Sequence, residues 1–326
     1  MRETKRQLRH GSRRAQAPAV LRRGASGSGL IREYPTTLWG IGTRALEVEG
    51  SEPAPTFLLL HGFLDSADTW RPVLERLAAA GRSAIAYDMP GFGFAERARH
   101  GGLLDQQESF VAEAVRRVAA KSGRNVVVAG NSLGGWVTLR IGAHQNLPLA
   151  AIAPIAPAGL DMSPWFFRAE RIPAADAIVD LPVPIPSRVT RDIVSRTFRQ
   201  LAFCDQSKVD EPSIRRFAFH NRDRATVRWR INAARRLITD GGSAYHPERI
   251  MVPTTVIWGD KDLLCLPSGA KRLSDEIVGS RLAMLHGCGH CPQLEEPGRT
   301  AELLLETAPT KQRAKPRLRR YLLGAA

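Results

Sequence analysis

Cysteine is scarce, with four in 326 residues, so the disulfide framework of a small secreted domain is excluded and a reducing interior fits best. Cys288 and Cys291 have the spacing of half a zinc site, with His286 and His290 beside them, but Cys204 and Cys265 stand alone and no second half follows. A redox-sensitive thiol pair is the alternative reading of those two cysteines. No apolar run is long enough for a membrane span or for the hydrophobic stretch of a secretory signal. The expected location is therefore cytoplasmic, with peripheral attachment to a membrane left open. No repeat of fixed period occurs, and neither a cofactor nor a metal is expected.

Acidic residues are scarce at both ends. Residues 1–30 carry eight Lys or Arg against one acid and residues 311–326 carry six against none, so thirteen of the fifteen net positive charges lie in two arms. The body between them is nearly balanced, and it does not read as a nucleic-acid-binding domain. The arms read as solvated ends, with anionic lipid, nucleic acid or an acidic protein as alternative partners. An Arg-rich, acid-poor start also has the composition of an organellar transit peptide. Lys315 to Leu323 mixes Arg with Leu and Tyr, which permits a short surface-seeking helix.

What is present is a chain with 43% hydrophobic residues, enough to bury a sizeable core. Strand-like runs fall near 36–40, 43–48, 57–60, 84–87, 126–130, 149–155, 254–258 and 281–285. Helical runs fall near 70–80, 106–121, 133–145, 268–278 and 296–306. This alternation predicts an α/β fold, a mostly parallel central sheet flanked by helices, with sites beyond the carboxyl ends of the strands. The interval 161–250 breaks the rhythm. It starts with Trp165-Phe166-Phe167, passes the proline-rich 181–186, and then reads as helices near 190–202, 211–220 and 223–238. Sixteen basic and eleven acidic residues lie in it. Arg222, Arg224, Arg228 and Arg230 crowd one helix start, either as a solvated face or as a site for an acidic substrate group.

The most informative stretch is Gly130-Asn131-Ser132-Leu133-Gly134, which follows the apolar run Val126 to Ala129 and opens a helical run. A serine thrust out at such a corner needs near-absent side chains two positions before and after it. The new helix also turns its first free N–H groups toward whatever the serine attacks. A serine needs a base, and the base needs a carboxylate to fix its tautomer. Downstream, one strand-like run empties into Gly259-Asp260-Lys261-Asp262 and the next into His286 to Pro292, so the order is Ser, Asp, His. Each residue has a plainer reading: Ser132 as a helix N-cap, and His61, Asp88 and His286 as loop residues bonded to backbone.

At these residues the chain resembles the α/β-hydrolase family. Phe57 to Phe63, with its His61-Gly62 pair, resembles the strand and loop that lend a backbone N–H to an oxyanion hole. Asp88 to Gly93 resembles the next strand exit, Trp258 to Asp262 the acid loop, and Gly289 to Pro297 the histidine loop. The resemblance implies Ser132 as nucleophile, His290 as base and then acid, and Asp262 as orienting carboxylate, with Asp260 as the alternative acid. It also implies an oxyanion hole from the N–H groups of Phe63 and Leu133, and a helical cap inserted in the core. The expected layout is a basic arm at 1–30, core at 31–160, cap at 161–250, core at 251–308 and a basic tail at 309–326. The expected activity is a serine hydrolase cleaving a carboxylic ester or related acyl bond of a small, largely apolar substrate. Carbon–carbon hydrolase, thioesterase, lactonase and cofactor-free peroxidase-type activities are alternatives, and a catalytically silent binding module held by basic tails is an alternative of another class. Asn131 is the residue that favours carbon–carbon cleavage.

Overall fold

Four strands are apolar at nearly every position because both faces of the sheet are covered, the signature of buried parallel strands. The computed structural model describes residues 31–97, 102–164, 187–221, 224–240 and 245–309. The two arms, Arg222, Trp165-Phe166-Phe167 and the proline-rich 181–186 lie outside the described residues.

The strands are β1 (Arg32–Leu38), β2 (Ile41–Val48), β3 (Phe57–Leu60), β4 (Ala84–Tyr87), β5 (Val126–Asn131), β6 (Leu149–Ile155), β7 (Thr255–Gly259) and β8 (Arg281–Leu285). They form one sheet in the order β1-β2-β4-β3-β5-β6-β7-β8. Only β2 runs against its neighbours; the pairs from β4 through β8 are all parallel. Among the described residues the α-helices are α1 (Arg71–Ala79), α2 (Leu103–Ser122), α3 (Leu133–Gly142), α4 (Ser187–Ala202), α5 (Glu211–His220), α6 (Arg224–Asp240), α7 (Ser268–Glu276), α8 (Pro292–Glu295) and α9 (Pro297–Thr307). The interval between β6 and β7 therefore contributes α4, α5 and α6, close to the helical runs expected there. No described helix is long and apolar enough to cross a membrane.

One expectation is corrected. The sequence pattern predicts the first strand at 36–40, but the structure ends β1 at Leu38, and Trp39 and Gly40 turn the chain into β2 with φ of 52° and 70°. Positive φ at both central residues is what a two-residue hairpin needs to match the twist of its strands. Tryptophan's strand preference hides that turn.

The pleat divides the core into two layers. Leu58, Leu60, Val126 and Val128 pack on one face with Phe110 and Val115 of α2 and Val137 of α3. Phe57, Leu59, Val127 and Ala129 pack on the other with Leu74 and Leu77 of α1 and Leu304 of α9. Each fully buried leucine contributes about 1.5–3 kcal/mol. A third, smaller cluster joins Ala202, Phe203, Val209 and Ile214 to Cys291 and Leu294, so α4 and α5 are packed directly onto the segment after β8. Phe198 packs against that cluster, and its ring stacks on that of Phe217 at 3.6 Å.

The β5–α3 corner is packed too closely for any side chain at Gly130 or Gly134. A β-carbon on Gly134 would sit 2.4 Å from the Leu60 carbonyl oxygen, and one on Gly130 would sit 2.2 Å from the Gly134 carbonyl oxygen. Both obstacles are backbone and cannot step aside. Gly134→Ala should lower stability by about 1–3 kcal/mol or prevent folding, read from the urea midpoint; an unchanged midpoint contradicts this account of the corner.

Candidate active site

Ser132 lies between β5 and α3 with φ 56° and ψ −114°. That strained conformation costs on the order of 1–3 kcal/mol and persists only where surroundings over-determine it. Here the Ser132 N–H donates to the Ile155 carbonyl at 2.9 Å, while the Ser132 carbonyl accepts from Trp136 N–H at 2.9 Å and Ala158 N–H at 3.0 Å. The backbone is therefore held on both sides while the side chain faces a cavity.

His290 lines the same cavity and is paired with Asp262. His290 Nδ1 lies 2.7 Å from Asp262 Oδ2, and both side chains are buried. The Leu264 and Cys265 N–H groups donate to Asp262 Oδ1 at 2.8 and 3.0 Å, which leaves Oδ2 for the imidazole. With Nδ1–H donated to the carboxylate, Nε2 keeps its lone pair. The histidine loop is fixed at its backbone too: His290 N–H donates to the Ala202 carbonyl at 2.8 Å, and Asn131 Nδ2 donates to the His290 carbonyl at 2.9 Å. Gln293 Nε2 bridges Asn131 Oδ1 and Thr69 Oγ1, each at 3.2 Å.

Asp260 is placed elsewhere. It accepts from Gly287 N–H at 2.8 Å and lies 3.3 Å from His286 Nδ1, so of the two candidate acids only Asp262 reaches His290. His61 and Asp88 bond to loops. Burial pushes the His61 imidazole down to about 4, against the opposing effects of Asp88 and of its bond to Gly62. Its Nδ1 donates to the Gly62 carbonyl at 2.8 Å and its Nε2 accepts from Met89 N–H at 2.9 Å. Gly62 C=O and Phe63 N–H belong to one planar peptide, so His61 turns the Phe63 N–H to the opposite side. Asp88 accepts from Ala67 N–H at 2.7 Å, Phe94 N–H at 3.0 Å and Arg44 Nε at 2.9 Å. Cys288 and Cys291 have different partners, Glu295 and Asn131.

The cavity has a volume of about 550 Å³ and mostly apolar walls, and Ser132, Leu133, Phe63 and His290 all line it. Core residues such as Trp136 and Leu160 form one side, and Ile193, Val194 and Phe198 of α4 with Phe217 of α5 form the other. Of the crowded arginines, Arg228 is exposed, while Arg230 is buried and lines the cavity. Cys265 lies beside the Ser132 hydroxyl; burial and the Asp262 charge push its thiol well above the ordinary range, with the Ser132 hydrogen bond opposing them.

A family model for the alpha/beta hydrolase family matches residues 57–303. The chain belongs to the α/β-hydrolase family. Bovine monoacylglycerol lipase ABHD6 is 25% identical over 261 residues, covering 77% of this chain and 74% of the relative. The 2-hydroxy-6-oxo-6-(2'-aminophenyl)hexa-2,4-dienoic acid hydrolase of Metapseudomonas resinovorans is 26% identical over 264 residues, covering 79% of this chain and 84% of that enzyme. Among solved structures, a bacterial membrane phospholipase A superposes with a TM-score of 0.69 at 24% identity over 85% of each chain. The 2-hydroxy-6-oxo-6-phenylhexa-2,4-dienoate hydrolase of Rhodococcus sp. strain RHA1 superposes with a TM-score of 0.69 at 20% identity, covering 86% of this chain and 99% of that one. These likenesses support the eight-stranded fold and a hydrolase function.

Sequence reasoning missed three groups. Glu295 accepts from Gly289 N–H at 2.7 Å and Asp205 N–H at 2.6 Å, tying the histidine loop to the segment after α4. Asn221 bonds to the Leu64 carbonyl, which Arg230, one of the crowded arginines, bonds as well. Asp65 also lines the cavity. Burial pushes its carboxyl up to about 7, opposed by bonds from Ser66 N–H and the Thr69 hydroxyl and aided by the Asp68 and Asp88 charges. None carries a sequence signal beyond polarity, because burial alone gives each its role.

A carboxyl group raised in the folded state favours unfolding once the unfolded chain ionises. The penalty is absent below the ordinary range near 3.8, grows as the pH rises to about 7, and is constant above that. Asp65→Asn should therefore be more stable than the parent above pH 7, with the advantage shrinking to nothing as the pH falls toward 4. Thermal melts between pH 4 and pH 8.5 measure this, and a pH-independent difference would contradict the burial account.

Proposed function

We propose that Ser132, His290 and Asp262 form a catalytic triad and that the chain hydrolyses carboxylic esters of small, largely apolar acyl substrates through an acyl-enzyme. The observation that carries the reading is the 2.7 Å approach of His290 Nδ1 to Asp262 Oδ2 at the wall of a cavity that Ser132 also lines. In this reading His290 Nε2 takes the Ser132 proton as Oγ bonds to the substrate carbonyl carbon. The carbonyl π pair moves to oxygen, and the oxyanion accepts from the N–H groups of Phe63 and Leu133. As the tetrahedral species collapses, the carbon–oxygen bond to the leaving alcohol breaks and His290 returns the proton to it. Water, deprotonated by the same imidazole, then releases the acid and restores Ser132. Asp262 steadies the imidazolium throughout without taking its proton.

The cavity supports a small apolar acyl group, since its volume falls within the usual range for single small ligands. Helices α4, α5 and α6 serve as the cap that excludes water from it. The monoacylglycerol lipases among the relatives are consistent with ester chemistry. Carbon–carbon hydrolysis is the second reading, favoured by the similarity to the dienoic acid hydrolase. Asn131, the residue that favoured it in the sequence, spends its amide on His290 and Gln293, so it adds nothing to that reading.

Ser132→Ala should cut turnover of short-chain p-nitrophenyl esters at least about a thousandfold with an unchanged circular dichroism spectrum. A panel extended to thioesters, lactones and dienoates separates the substrate classes. Ester turnover that survives the substitution, or appears for none of these compounds, would sink the proposal.

A further inference from the structure

Leu64 follows the residue whose N–H is the proposed oxyanion donor, and its φ is 66°. Gly62 O accepts from Asp65 N–H at 3.4 Å, so Phe63 and Leu64 are the central residues of a β-turn with Leu64 at its third position. Positive φ there calls for glycine or asparagine, whereas a leucine β-carbon collides with its own backbone. Something outside the turn must hold it.

The described residues supply that hold from the far side of the cavity. Asn221, at the carboxyl end of α5, donates through Nδ2 to the Leu64 carbonyl at 3.0 Å and to the Phe217 carbonyl at 2.7 Å. Arg230, in α6, donates from a terminal guanidinium nitrogen to the same Leu64 carbonyl at 3.3 Å and to Asn221 Oδ1. Each is only 3% exposed, so these bonds form away from competing water. The Phe63 ring is packed edge-on against Phe92 at 5.2 Å, and the Arg230 guanidinium lies over the same Phe92 ring at 5.8 Å. The core side of the turn is held by His61 on Gly62, and the other side by α5 and α6 on Leu64.

We propose that Asn221 and Arg230 are positioning residues that hold Leu64 in its left-handed conformation and thereby set the Phe63 N–H for the oxyanion, so that seating of α5 and α6 assembles the hole. The inference rests on the ester-hydrolase reading of the same site. Their role is exerted through the turn, by way of the Leu64 carbonyl. Because the helices that wall the cavity also complete the donor, a shift of these helices away from the core loosens the turn as it opens the pocket.

A double-mutant cycle tests it. Losing a whole oxyanion donor costs on the order of a hundredfold or more, so a donor that is only loosened should cost less. Asn221→Ala should lower kcat about tenfold, with KM moving less than twofold, and should weaken phenylboronic acid, which mimics the tetrahedral species, in parallel with kcat. Placed in the Leu64→Gly chain, where glycine adopts φ 66° without a brace, the same substitution should cost less than about threefold. A merely structural role would lower the melting temperature, leave boronate binding in step with KM, and show the same loss in both backgrounds; that result overturns the inference. An Asn221→Ala chain with the parent's kcat overturns it as well. Ser132-dependent ester turnover by the parent chain is measured first, so absence of that turnover fails the function reading, whereas its presence with an unaffected Asn221→Ala fails only this one.

Discussion

The backbone of Ser132 is the constraint on which the site depends. A residue with a β-carbon at φ 56° and ψ −114° sits in an unfavourable region, and what keeps it there is the convergence of three elements. Strand β5 delivers the chain, α3 takes its carbonyl through Trp136, and the exit of β6 bonds both its N–H, through Ile155, and its carbonyl, through Ala158. The glycines at 130 and 134 allow α3 to lie against β3 and β5 at a distance no side chain permits. The sheet order, which puts β5 between β3 and β6, is thus a condition for the serine geometry.

The second convergence is polar and crosses the whole sheet. Asn131, one residue before the serine, reaches the backbone of His290, and Gln293 reaches Asn131 and Thr69 in turn. A one-residue slip of β5 would carry Asn131 to the opposite face and release the histidine loop. On the far side, Arg44 of β2 joins Asp88 at 2.9 Å, Asp68 at 2.7 Å and Glu33 at 3.0 Å, with Arg71 bonded to Asp68 at 2.6 Å. Burial alone would raise the Asp68 carboxyl, but His220, 3.7 Å away, together with Arg44 and Arg71, holds it well below the usual range. His220 belongs to α5, so this charge cluster contributes to seating the helices that wall the cavity.

The sheet was legible in the sequence, and Ser132, Asp262 and His290 stood out as candidates because each follows an apolar run of strand length, at or just beyond its carboxyl end. The hairpin at Trp39-Gly40 was not legible, since tryptophan resembles a strand residue and only the backbone reveals the turn. Leu64 was hidden for the same reason: leucine carries no signal for positive φ. Arg230 was read among four crowded arginines, and nothing in that stretch tells which one the tertiary packing buries. The choice between Asp260 and Asp262 turned on two residues of loop, and it is the register of β7 and β8 that sends one carboxylate to His286 and the other to His290.

Burial also decides the charge around the proposed oxyanion site. His61 fixes the Gly62–Phe63 peptide as a neutral ring, because one nitrogen donates to Gly62, the other accepts from Met89, and desolvation keeps the ring uncharged above about pH 4. Asp65, two residues past Phe63, is pushed by the same desolvation to about 7. An ionised carboxylate there would oppose a developing negative charge, and in a poorly hydrated cavity that repulsion is weakly screened. Holding Asp65 protonated up to near-neutral pH removes that repulsion, while Arg230 brings a buried guanidinium to the same cavity wall.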